Sequence, residues 1–402
     1  MTIGVGGSTI EAELEKLGSS ELKTDPVSLD VYQNRIKQAQ QRMRQQGISA
    51  LYLNGGSNLY YFTGTRWYPS ERMVGALITN DSVEYIAPYF ERGTLEGFTE
   101  VEGDIHTWHE HESPYQKLVD ILVAKGLHKD TVAIDEKAPY FLVDGLQQVG
   151  AGINWCSAQC ITEPCRIVKS DQEISYLKQA KALTMQVHRA AAAILKEGIS
   201  TIEVEHFIET AHRRLGTSGS AFCIVLFGEA TSYPHGVKYP QYLAKNDMVL
   251  IDTGCRVMGY HSDITRSYVF GDPTEQHRQI WNIEKEAQAA AFSAAQLGIP
   301  CSAVDKAARD VITSHGLGPD YALPGLPHRT GHGVGLDIHE APYIVRGNET
   351  ILAKGMCFSN EPMICVPGKF GVRLEDHVYI DDNGPQWFTE PSHSVDDPFG
   401  KD

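Results

Sequence analysis

Apolar residues recur every three to four positions through residues 28–47, where Tyr32, Ile36, Ala39 and Met43 share one face of a predicted helix. The stretches ISALYLN, MVGALIT and VEYIAPY then read as strands, residues 114–126 and 138–149 as helices, and TVAID as one more short strand. That alternation predicts an α/β domain. A second regime begins near Cys165. Ser170 and Glu173 form an S-x-x-E capping box ahead of a helical stripe of Ile174, Leu177, Ala180, Thr184, Val187, Ala191 and Ile194, closed by Gly198. Ser200 and Glu203 repeat the device. Short strands follow (FCIVLFG, MVLIDTG, DITRSYVF), then a long helix opened by Pro273, a helix over residues 303–315, and the strand-like MCFSNEPMI and GVRLEDHVYI. Whole helices between short strands predict an α+β layer, and a helix pair followed by strands occurs twice. The boundary is placed between an N-terminal α/β domain, 1–160, and a C-terminal α+β domain, 161–402. The closing segment DDNGPQWFTEPSHSVDDPFGKD is expected to be an ordered surface tail.

Composition narrows the function classes. With 42% apolar and 21% charged residues the 402-residue chain is globular. Thirty-five Lys+Arg against 51 Asp+Glu give a net charge of −16, a field that repels nucleic-acid phosphates and anionic lipid, and no basic patch offsets it. The opening residues lack a signal-peptide pattern and no run approaches the ~20 apolar residues of a membrane span, so a cytoplasmic protein is expected. Eight cysteines are too few for a disulfide scaffold. Cys156, Cys160 and Cys165 lack any C-x-x-C pair and are read as structural thiols.

Acids stand where apolar residues would be expected. Asp252 ends MVLID, Asp263 opens DITRSYVF, and Glu361 and Glu375 interrupt the last two strands. Four carboxylates on inward-facing strands need cations close by. Arg266 and Arg373 are the candidate arginines in the same segments. His332 lies in HRTGHGVGLDIHE with His328 before it and His339 after it, among glycines that favour a tightly packed loop or strand over a helix. No H-E-x-x-H occurs. Four carboxylates and an imidazole exceed what one tetrahedral Zn²⁺ needs, and they suit two divalent ions in a mostly oxygen-donor site.

The segments DTG at 252–254, SDITRS at 262–267, the HRTGHGVGLDIHE run, NEP at 360–362 and RLED at 373–376 resemble, in order and spacing, the pita-bread metallopeptidases. That family includes Xaa-Pro dipeptidases (prolidases), aminopeptidase P, methionine aminopeptidase and creatinase, and the likeness covers residues 160–385. It implies Asp252, Asp263, His332, Glu361 and Glu375 as the metal ligands, two Mn²⁺ ions (or Co²⁺, Fe²⁺ or Zn²⁺), and a homodimer. It also implies His235, in SYPHG, contacting the substrate backbone, and His328 and His339 stabilising an oxyanion. Glu361 is implied as the proton shuttle. Arg373 is implied to orient Glu375 or to meet the carboxylate of a dipeptide. The N-terminal domain is of the size found in the proline-directed members. The implied activity is hydrolysis of small peptides with proline after the scissile bond, most simply an Xaa-Pro dipeptidase. The alternatives are an aminopeptidase P-like enzyme, another hydrolase or a lyase using the same metals, and a non-catalytic peptide-binding module.

Overall fold

The computed structural model describes residues 1–19, 22 and 24–400. The chain forms two compact units, one made of Asp25–Arg166 and the other of Met1–Thr24 with Ile167–Asp402. This departs from the expected 1–160 and 161–402 at both ends. Val5 and the Ile10, Leu14 and Leu17 face of the helix Ile10–Leu17 pack against the core cluster that contains Val187, Val204, Phe207 and Ile208, so the first residues belong to the second unit. At the other end, the helix Gln159–Arg166 stays with the first unit, where Tyr61 Oη donates to Cys165 O at 2.6 Å and Arg166 donates to Asn58 Oδ1 at 2.6 Å.

The first unit is the expected α/β domain. Six strands lie in the order Asp104–Trp108, Val83–Pro88, Gly75–Thr79, Ala50–Asn54, Thr131–Ile134 and Asn154–Ser157. The second and third pairings in this order are antiparallel and the other three parallel. Every residue of Ala50–Asn54 and Gly75–Thr79 is buried, as befits a sheet covered on both faces. The helix Leu29–Gln46 buries Tyr32, Ile36, Ala39 and Met43 and ends at Gly47, whose φ of 66° suits glycine.

The second unit is α+β, built from two helix pairs and antiparallel sheets. Asp171–Ala193 and Thr201–Arg214 both open with the capping boxes foreseen at Ser170/Glu173 and Ser200/Glu203. The second pair is Glu275–Ala294 and Cys301–Ser314. A three-stranded sheet in the order Ile264–Val269, Met248–Gly254, Phe222–Phe227 faces both pairs. Val249 and Ile251 enter the core of the first pair, while Met248 and Leu250 enter that of the second. A five-stranded sheet orders Glu340–Ile344, Gly331–Gly333, Cys357–Asn360, Asp376–Asp381 and Gly384–Trp387, and Met363–Val366 pairs separately with Phe370–Arg373. The stretches MCFSNEPMI and GVRLEDHVYI are therefore each split between two sheets. Through Gly400 the closing segment is no surface tail, and its last two residues lie outside the described ones. Val395 is buried in the core of the second helix pair, and Phe399 packs on Tyr268 at 5.9 Å between ring centroids.

No helix of the described residues is long and apolar enough to cross a membrane. All eight cysteines are free, and none joins a metal-like cluster among the described residues.

A candidate metal centre

Strand alternation places the first two acids. Asp252 is the next residue on the Met248 and Leu250 face, and across the antiparallel pair it lies directly opposite Thr265. Asp263, two residues before Thr265, falls on that same face. Arg266 is turned the other way, fully buried, donating to Asp376 at 2.7 Å and to Glu375 O at 2.8 Å. It is therefore not a counter-ion for the acids, as the sequence had allowed.

His332 occupies the three-residue strand Gly331–Gly333. A Cβ at Gly331 would stand 1.9 Å from Ser359 O and one at Gly333 2.2 Å from Ala341 O, so only glycine permits the backbone approach that brings the imidazole in. His332 Nδ1 lies 3.1 Å from Gly333 O. With Nδ1 protonated and donating there, the Nε2 lone pair faces Glu361 Oε1 at 2.9 Å and Asp263 Oδ2 at 3.7 Å. Glu361 and Glu375 sit where the chain leaves one sheet for another. Glu361 N donates to Thr330 O at 2.9 Å, and Glu375 N to Thr265 O at 3.2 Å.

All five predicted ligands thus converge. Ligand atoms of His332, Glu361 and Glu375 lie within 4.8 Å of one another, as do those of Asp263, His332 and His339 and those of Asp263, Glu375 and His377, while Asp252 is within hydrogen-bonding reach of Asp263. Burial, followed by crowding from the neighbouring acids, pushes Asp263 and Glu375 well above the usual carboxylate range. Burial also raises Asp252, against the pull of Arg373. Glu361 goes the other way, because His332, His328 and Arg373 outweigh its burial. Asp252 Oδ1, Asp263 Oδ1 and Glu375 Oε1 are buried with no hydrogen-bond donor. Orphaned buried oxygens are expensive, and a group of them around one imidazole fits divalent cations with a preference for oxygen ligands.

Arg373 takes the orienting role, one of the two expected of it. It is 3% exposed, with NH2 paired to Asp252 Oδ2, Nε donating to Thr265 Oγ1 at 2.9 Å, and NH1 donating to Pro234 O at 3.1 Å. Thr265 Oγ1 in turn donates to Glu375 Oε2 at 2.6 Å. Arg373 therefore orders Asp252 directly and Glu375 through Thr265, with three of its five N–H donors committed to Asp252, Thr265 and Pro234 O.

The remaining predicted residues border the centre. The His339 ring meets His332 edge-on at 4.1 Å between centroids, and burial, followed by His332, lowers its pKa to about 4. His328 Nδ1 bonds Arg329 O at 2.7 Å while its Nε2 is buried and unpaired, and burial lowers its pKa as well. His235 is exposed and within electrostatic reach of both. Sequence reasoning missed Thr265, the switch between Arg373 and Glu375, and Ser359, whose Oγ donates to Glu361 Oε1 and accepts from His332 N, each at 2.9 Å. It also missed His377, although its place two residues beyond Glu375 was a usable signal.

Residues 175–382 match the model of metallopeptidase family M24, and residues 35–168 match that of the creatinase/prolidase N-terminal domain. The chain is 33% identical over 365 residues to the putative dipeptidase YkvY of Bacillus subtilis (strain 168), spanning 89% of this chain and 98% of that protein. Among solved structures, dipeptidase PepE from Mycobacterium ulcerans aligns with a TM-score of 0.85 and 32% identity over 92% of this chain and 99% of that one. The prolidase from Thermococcus sibiricus aligns with a TM-score of 0.83 and 31% identity over 89% and 97%.

Proposed function

The chain belongs to metallopeptidase family M24, and we propose that it hydrolyses Xaa-Pro dipeptides with two divalent ions, Mn²⁺ foremost, held by Asp252, Asp263, His332, Glu361 and Glu375. The observation that carries the reading is the set of three orphaned carboxylate oxygens around His332. When bound, such ions supply a water acidic enough to attack near neutral pH and polarise the scissile carbonyl. The neighbouring side chains do the rest. Glu361 accepts from Ser359 at Oε1, which leaves Oε2 to take a proton from the attacking water and return it to the proline nitrogen. His339, whose pKa is lowered to about 4, is neutral and donates its N–H to the developing oxyanion, while His328, whose Nδ1 hydrogen goes to Arg329 O, presents its Nε2 lone pair to the substrate, and His235 contacts the substrate backbone. The names of YkvY, PepE and the Thermococcus prolidase agree with a dipeptidase. The reading also takes the enzyme to be a cytosolic homodimer.

Restriction to dipeptides needs a cation for the substrate's carboxylate. With Arg373 occupied, we assign that role to Arg329. It is exposed, in no ion pair among the described residues, within electrostatic reach of His339, and spread over the Tyr343 ring at 4.6 Å. The test compares Xaa-Pro, its C-terminal amide and Xaa-Pro-Gly on Mn²⁺-loaded enzyme, with Met-Xaa as control. The dipeptide should lead by at least ~10-fold in kcat/KM, the scale of one charge-assisted contact, and Arg329→Ala should erase the lead. Equal rates on all three Xaa-Pro substrates would move the assignment to an aminopeptidase P-like enzyme, and cleavage of Met-Xaa alone would end the proline reading.

A further inference from the structure

Three histidines among the described residues are fully buried, and two are spoken for. His188 Nε2 bonds Ile264 O at 2.9 Å, and His212 bonds Thr184 at 3.2 Å and Ser220 at 2.9 Å. His377 has both ring nitrogens buried with no partner. It belongs to the strand Asp376–Asp381, opposite Ser359. Its neighbour Asp376 points away from the centre toward Arg266 and Gln288, so alternation turns His377 toward Glu375 and Asp263.

The spacing there is not that of a hydrogen bond. His377 Nε2 stands 3.6 Å from Glu375 Oε1, itself an orphan, and the ligand atoms of His377, Glu375 and Asp263 lie within 4.8 Å of one another. Two donors each about 2.1 Å from a shared ion are roughly 3.0–3.5 Å apart, close to the gap observed and too wide for direct bonding. The nearby Lys181 ammonium group, within electrostatic reach of Asp263, Glu375 and His377, donates its hydrogen bond to His261 O at 3.3 Å and lies over the Phe388 ring at 4.5 Å.

We propose that His377 is a sixth protein ligand of the metal centre, giving Nε2 to the ion held by Asp263 and Glu375, so that the centre carries two imidazoles, His332 and His377. The proposal rests on the metal-dependent reading above and not on the peptide cleaved. Its test uses full-length protein loaded with Mn²⁺ and labelled with ¹⁵N-histidine, read without substrate by electron–nuclear double resonance. Two inequivalent directly bound imidazole nitrogens are expected. One should vanish in His377→Ala and in His377→Gln, with at least ~10-fold weaker Mn²⁺ binding by titration and an unchanged melting temperature of the metal-free protein. A loaded wild-type protein with a single bound imidazole, or a His377→Gln spectrum identical to wild type, overturns the proposal and leaves the peptidase reading standing. A chain that takes up no Mn²⁺ overturns both, and a loaded chain with two bound imidazoles that cleaves no Xaa-Pro peptide overturns the substrate alone.

Discussion

Asp135 in the Asp25–Arg166 unit and Asp263 in the other unit are equally buried, each 4% exposed, yet their surroundings are opposite. Asp135 is wrapped in donors. Oδ1 accepts from Asn58 Nδ2 at 2.8 Å and Lys137 N at 3.0 Å, and Oδ2 accepts from Asn54 N at 3.2 Å. Asp263 keeps an orphaned oxygen and faces three other acids. A carboxylate that closes its own hydrogen bonds is part of the architecture, whereas one left open among like charges is waiting for a cation. Glu284 marks the limit of the rule. It is fully buried with both oxygens unpaired, but burial holds it well above the usual carboxylate range, and a lone acid can settle its account by keeping a proton. Four acids in one pocket have no such simple exit.

The sharpest test of the contrast exchanges one oxygen for an amide on each side. Asp263→Asn should bring metal content on Mn²⁺ reconstitution below one ion per chain and reduce kcat/KM by more than ~10³. The metal-free variant should melt no lower than wild type, because a repelling charge has gone. Asp135→Asn should leave both metal content and kcat/KM within about twofold. Elemental analysis beside a calorimetric scan reads all of this, and an Asp263→Asn enzyme that still holds metal and turns over would break the comparison.

Most of the centre was legible from the chain because its acids interrupt apolar strands, and an acid such as Asp252 at the end of MVLID has few reasons to be there. The α/β and α+β characters and both capping boxes were legible too, since each is a local pattern. What was not legible depends on partners distant in sequence. The helix Ile10–Leu17 belongs to the second unit because the core cluster that contains Phe207 and Ile208 receives its apolar face. Val395 and Phe399 are core because Tyr268 and the second helix pair receive them. Arg373 and Glu375 were expected on one strand face. They meet instead through Thr265, across a break in the strand, and the salt bridge that holds Arg373 on Asp252 joins residues 121 positions apart.

A smaller effect separates the units by where metal acts. Mn²⁺ at 100 times its Kd adds about 2.7 kcal/mol to whatever must open to release it. Amide exchange should therefore slow by up to ~100-fold in Met248–Gly254 and Ile264–Val269, which carry or adjoin Asp252 and Asp263, and stay unchanged in Ala50–Asn54. Equal slowing in both units would mean that metal stabilises the chain as a whole and that the contrast between its acids is not local.

The last effect concerns Asp135 itself. Burial, then Glu136, raises its pKa to about 6 despite the donors around it. The unfolded carboxyl titrates near 3.9, so between roughly pH 4 and pH 6 the folded unit binds more protons than the unfolded chain, and stability falls as pH rises through that window. The contribution is fully present below about pH 4, is gone above about pH 6, and is at most about 3 kcal/mol for a shift of this size. Glu84 works in the opposite sense, because Lys125 and His106 outweigh its burial and lower its pKa. The observable is therefore the difference between wild type and Asp135→Asn. Exchange protection of Ala50–Asn54, followed from pH 4 to pH 7, should fall more steeply with rising pH in wild type than in the variant after correction for intrinsic rates. Parallel profiles would mean that the donors from Asn54, Asn58 and Lys137 compensate the buried charge completely, which would make the contrast with Asp263 sharper than drawn.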